Sequence, residues 1–200
     1  MFMMIIANIV GCLALFYLLW KKLKEDYHYE RIFNLCFSLL IGVIISFFAS
    51  KYFLKDYWFW IYVLGVSLSF TFGIIRQKIK FFESFEGLVI GILPWLGLYF
   101  FVEAIRMSSL FNFVAFWIVL LLIFIFFFLD SQYRKYTWYK SGKVGFSGVV
   151  TTILFFLIRS ILGIFFPNIA SLAPNFESIL SGTFAFSFFL LLYNLARVKE

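Results

Sequence analysis

The chain has 200 residues, of which 64% are hydrophobic and 14% charged, with 32 phenylalanines and a net charge of +7. Ordinary soluble domains are about 45–50% apolar and about 25% charged, so this composition, with a mean hydropathy of +1.00, excludes a water-soluble globular domain. Lipid admits only helices or closed barrels. A barrel would show alternating segments of about 10 residues, whereas the apolar runs here are continuous, so the fold class is an all-α polytopic membrane protein.

Seven spans follow in chain order, at about 1–20, 32–53, 58–75, 87–105, 111–129, 146–166 and 179–196. Each is close to the roughly 20 residues that a bilayer core requires, and together they make one seven-helix domain over 1–200. The first lacks a basic leader and a small-residue cleavage site, and reads as a retained span rather than a signal peptide. In the second, Ser38, Gly42, Ser46 and Ser50 recur every fourth residue, a stripe that lets a neighbouring helix approach closely. The third is the most polar, with Ser67, Ser69 and Thr71. In the fourth, Gly87, Gly91 and Pro94 point to close packing or a kink.

The basic residues fall in short loops. Thirteen Lys and Arg lie in the first, third and fifth loops and the C-terminal tail, against three on the opposite side. The positive-inside rule then places the N-terminus outside and the C-terminus in the cytoplasm of a plasma membrane. The same distribution argues against nucleic acid. The stretch 130–143, DSQYRKYTWYKSGK, mixes cations with aromatic rings, but beside a span it reads as an interfacial belt with snorkelling Lys and Arg. The loop before span seven, 167–178, has no basic residue and should run along the outer surface.

Common catalytic signatures are absent: the sequence has no P-loop, GxGxxG, HExxH or GxSxG. Cys12 and Cys36 sit in apolar segments without metal spacing, and His28 has no acidic or cysteine partner at ligand spacing. No metal and no cofactor are expected. The informative residue is Arg159, within GFSGVVTTILFFLIRSILGIFF at 145–166. A cation at bilayer depth costs roughly 2.5–3.5 kcal/mol on insertion scales and is a functional candidate by default. The expected topology puts Arg159 in the outer half, at a depth similar to Glu103 and Arg106, with Tyr99 one turn deeper. Either Arg159 pairs with Glu103 in a structural salt bridge, or it faces a cavity and binds a lipid phosphate with its planar fork, alongside Arg106 and with Glu103 and Tyr99 orienting or ion-pairing.

The end of the chain resembles the prolipoprotein diacylglyceryl transferase family. Gly145 is followed fourteen residues later by Arg159 and then SILGIFF, where the family tends to read Arg-x-x-x-Glu-Phe-Phe. After the external loop, Asn175-Phe176-Glu177-Ser178-Ile179-Leu180-Ser181 is similar to the S-M-x-Q-I-L-S opening of the family's last span. The family's His-Gly-Gly motif has no counterpart in 58–65, WFWIYVLG. Its arginines in spans two and four are missing from 42–48, GVIISFF, and 97–103, GLYFFVE, and Gly163 stands in place of the glutamate after the span-six arginine. The resemblance implies a bacterial plasma-membrane protein of lipoprotein biosynthesis. The implied activity is transfer of diacylglyceryl from phosphatidylglycerol to a cysteine of a prolipoprotein signal peptide. On that reading Arg159 and Arg106 hold the lipid phosphate and the catalytic residues are unassigned. The missing motifs imply reduced or lost activity, and the alternative is a non-catalytic lipid-binding or scaffolding protein of the envelope.

Overall fold

A computed structural model describes residues 2–53, 57–132, 145–165 and 174–197. Most of the basic, aromatic stretch at 130–143 and much of the loop at 167–178 lie outside the described residues. The described residues form seven helices and no strands: α1 (Phe2–Leu23), α2 (Tyr29–Tyr52), α3 (Trp58–Gln77), α4 (Phe81–Met107), α5 (Leu110–Gln132), α6 (Phe146–Phe165) and α7 (Pro174–Arg197). All seven are long and apolar enough to cross a membrane.

Most of the helices overrun the spans expected from hydropathy at one end or both. The largest differences are at the starts of α4, at Phe81 rather than 87, and α7, at Pro174 rather than 179. Hydropathy marks the part of a helix that sits in hydrocarbon, while the backbone ladder continues into the polar interface. The extra turns of α4 carry Glu83 and Glu86, which apolarity alone would assign to a loop.

The organising helix is α4, which packs chiefly against α1 and also against α5 and α6, while α2 pairs with α3 and α6 with α7. Small residues set the α1–α4 approach. A Cβ on Gly91 would meet Leu15 Cδ1 at 2.5 Å, and one on Gly87 would meet Leu19 Cδ2 at 3.0 Å. Pro94 lies inside α4, which runs on to Met107. The main core sits along this seam, with Leu15, Leu19, Leu35, Phe85, Leu88 and Val149 among its buried side chains.

The serine and glycine stripe of α2 is the seam with α3. A Cβ on Gly42 would lie 2.7 Å from the Gly65 carbonyl oxygen, and one on Gly65 would collide with Ser46 Oγ. Ser46 Oγ donates to the Gly42 carbonyl at 2.7 Å and also reaches the Ile61 carbonyl of α3 at 3.2 Å. Backbone that close leaves no room for a branched side chain, and overpacking of this kind costs about 1–3 kcal/mol. Gly42→Val is therefore expected to destabilise the protein by at least that range, read as a lower midpoint in a denaturant titration followed by circular dichroism in detergent.

A partly buried charge cluster ties four helices at the end opposite Arg159. Lys22 Nζ, at the end of α1, lies 3.1 Å from Glu86 Oε2 of α4 and 2.7 Å from Asp130 Oδ1 of α5. Glu86 Oε1 accepts the Ser147 backbone N–H of α6 at 3.2 Å. That N–H belongs to the first turn of a helix, where no intrahelical carbonyl is available, and a carboxylate there also complements the helix dipole. Just before α6, Gly145 has φ +84°, and a Cβ would meet Phe82 Cδ1 at 2.9 Å. Both the conformation and the space require glycine.

Nearby, the Tyr27 hydroxyl donates to Glu83 Oε2 at 2.6 Å and accepts the Lys80 backbone N–H at 3.1 Å. This ties the α1–α2 turn to the start of α4. Burial, and then the bond to Glu83, push the Tyr27 phenol above its ordinary value. A raised folded-state pKa means that this contribution is present below about pH 10 and is lost as the pH rises through the raised value.

Candidate functional site

The site forms where the end of α6, the start of α7 and the start of α3 come together. Arg159 lies six residues before the end of α6 at Phe165, about 9 Å along the axis. Glu177 lies in the first turn of α7. A hairpin of two helices brings these depths to the same level. Arg159 Nη2 pairs with Glu177 Oε1, and the Trp60 indole N–H donates to Glu177 Oε2 at 3.1 Å. The guanidinium also stacks on Phe59, its Cζ 3.4 Å from the ring centroid. Glu177 is 1% exposed, whereas the Arg159 side chain retains 21%, so the cation is the more accessible partner.

Local packing makes this approach possible. Ser160 Oγ donates to the Ser178 carbonyl at 2.9 Å. One turn beyond Arg159, a Cβ on Gly163 would come within 2.5 Å of Ser178 Oγ. Glycine at 163 thus lets α7 lie close enough for Glu177 to reach Arg159. Behind the pair, Trp60, Phe156 and Ala185 form a buried cluster that Phe59, Phe155 and Phe184 extend.

Arg159 and Glu177 also line a cleft of about 120 Å³ that reaches toward α4 and α5. The rest of its described wall is apolar or aromatic, including Trp58, Phe59, Leu96, Phe100 and Phe155. The arrangement combines a guanidinium, which suits a phosphate through charge-assisted and bidentate bonds, with an apolar slot of the kind that takes a hydrocarbon chain. No described wall residue offers a hydroxyl, thiol or imidazole. Among the described residues, no cluster of His, Cys, Asp and Glu could hold a metal ion. Cys12 and Cys36 are free thiols.

The residues expected to surround Arg159 are distributed differently. The carboxylate on Arg159 is Glu177, not Glu103. Glu103 is buried and pairs with Arg106 Nη1 at 3.5 Å, one turn along the same helix, with the Arg106 side chain about half exposed. Tyr99 sets its ring edge-on to Phe100, 5.7 Å between centroids. Phe100 and Leu96 line the cleft, whereas Tyr99, Glu103 and Arg106 are not among its described lining residues. Glu177, Trp60 and Phe59 were not picked out from sequence as partners. A signal for Glu177 was available, since a carboxylate in the first turn of span seven faces the same surface as an arginine near the end of span six.

Fold and site together define a seven-helix bundle with a buried glutamate and a partly accessible arginine paired on the wall of an apolar cleft. Comparisons with protein-family models, curated proteins and solved structures find no match.

Proposed function

We propose that this chain is a phospholipid-binding protein of a bacterial plasma membrane, with its N-terminus outside. A lipid phosphate engages Arg159, and an acyl chain enters the cleft. The observation that carries this reading is a partly accessible guanidinium on the wall of an otherwise apolar cleft. A guanidinium offers five N–H donors in a fixed fork, the geometry that suits a phosphate. Arg106, expected from sequence as a second phosphate ligand, has no part in this reading.

Native mass spectrometry of the purified protein, delipidated in detergent and then given phospholipid, tests the reading. The intact chain should retain lipid, and the neutral pair variant Arg159→Gln with Glu177→Gln should lose most of it while still folded. Equal retention by both, or no retention by the intact chain, would refute the proposal.

A second reading is diacylglyceryl transfer of the kind the resemblance implies. It is favoured by the meeting of the two segments that carry the resemblance, through Arg159 with Glu177 and Ser160 with Ser178. Gly163 replaces the glutamate of the family pattern, and Glu177 supplies the carboxylate from the next helix. In that reaction the cysteine sulfur of the acceptor forms a thioether bond to the diacylglyceryl carbon. The carbon–oxygen bond to glycerol phosphate breaks, the leaving phosphate is stabilised by Arg159, and the thiol proton must pass to a base. Phosphatidylglycerol vesicles with a lipobox peptide decide it: thioether product from the intact chain supports transfer, and none leaves lipid binding alone.

A further inference from the structure

The size and shape of the cleft bear on which hydrocarbon it takes, an inference that rests on the cleft being a phospholipid site. Its volume of about 120 Å³ is well below the roughly 300–1,000 Å³ of pockets that enclose drug-sized ligands. The space is drawn out along the helices. On α5 the wall runs from Phe111 to Leu122, about 16 Å of helix axis and about half of a roughly 30 Å hydrocarbon core. A space so long and so small is one hydrocarbon chain wide. Two chains of a diacyl lipid do not fit in it side by side.

One position keeps the slot open. Among the described wall residues, only Ala115 and Gly163 carry nothing beyond Cβ. The space at Gly163 is already taken, because Ser178 Oγ lies 2.5 Å from where a Cβ would stand. Ala115 is 7% exposed and belongs to the cleft wall. It lies about 8 Å along α5 from its start at Leu110, and Arg159 lies about 9 Å from the end of α6 at Phe165, at about 1.5 Å per residue. Consecutive spanning helices alternate in direction, so the two residues line the cleft at similar depth. The short side chain of Ala115 thus leaves room where a chain passes the guanidinium.

We infer that the cleft takes a single unbranched acyl chain, the lipid's other chain staying in the bilayer, and that Ala115 sets the chain width it accepts. In a close-fitting apolar pocket one extra methylene changes binding by roughly 10–200-fold. A methyl branch on the lipid and a larger side chain at 115 therefore meet the same limit from opposite sides. Neither disturbs the Arg159–Glu177 pair. A mere loss of packing at 115 would lower retention of straight and branched chains in equal proportion.

The test is competition between two phosphatidylglycerols, one with straight chains and one with methyl-branched phytanoyl chains. They are offered in equal amounts to the delipidated full-length protein, and the bound lipid is identified by native mass spectrometry. The intact chain should enrich the straight-chain lipid several-fold. Ala115→Gly should bring the ratio toward one, and Ala115→Leu should lose most of both lipids while still folded. Equal binding or a preference for the branched lipid by the intact chain would overturn the chain-width inference while leaving phospholipid binding in place. An unchanged ratio in folded Ala115→Gly, or full retention by folded Ala115→Leu, would overturn the role of Ala115. Failure of the intact chain to retain either lipid would instead remove the underlying site. The intact-chain competition decides chain selection even where a variant does not fold.

Discussion

Arg159→Ala is expected to cost about 3–5 kcal/mol of stability, the range for removing one partner of a buried ion pair. The loss should greatly exceed that from breaking a pair between solvent-exposed side chains, a class worth about 0–1 kcal/mol. The reason lies in what remains. Glu177 is 1% exposed, and removing the guanidinium takes away the cation that faces its charge. Removing Arg159 also strips the cation from the face of Phe59. If burial of an unpaired charge is the dominant cost, Arg159→Met combined with Glu177→Gln should recover most of the loss, because neutral residues of similar volume carry no desolvation penalty of that size. Denaturant titrations of the wild type, Arg159→Met, Glu177→Gln and the double variant in the same detergent give the coupling energy. A double variant no more stable than Arg159→Ala would show that the arginine acts through packing rather than charge.

Spans were readable because the hydrocarbon imposes a length and an apolarity that few other environments require, and all seven appear as helices. The Gly42 and Ser46 stripe was readable for a related reason, since only small side chains permit the approach of α2 to Gly65 of α3. Arg159 stood out because a charge at depth is rare. Its partner was harder to see. Glu103 lies at a similar expected depth on the fourth span and was the obvious carboxylate, but depth says nothing about which way a helix is rotated or which helix lies next to it. That choice is made by packing: Gly163 admits α7 beside α6, and Trp60 of α3 closes over Glu177. Glu86 was hidden differently. It precedes the apolar run of span four and looks like a loop residue until α4 is seen to begin at Phe81.

Lys22→Met is expected to destabilise the fold by about 3–5 kcal/mol, comparable to the loss at Arg159 and by the same physics at the other end of the bundle. Lys22 lies between Glu86 and Asp130, so its removal leaves two carboxylates without the cation they share. Glu86, 2% exposed, cannot recover its hydration without opening α1 from α4, the principal helix pair of the fold. It retains the Ser147 N–H, and the positive end of the α6 dipole offsets a further part of its charge, though such effects reach only about 2 kcal/mol in the best partly buried cases. Neutralising the partner gives a second handle. Lys22→Met combined with Glu86→Gln removes the carboxylate charge left in the seam and should recover most of the loss. Unfolding midpoints of wild type, both single variants and the double variant measure this. A double variant no more stable than Lys22→Met would mean that Lys22 contributes through its aliphatic stem and its contact with the Phe126 ring, 5.6 Å from Nζ to the centroid, rather than through the charges it joins.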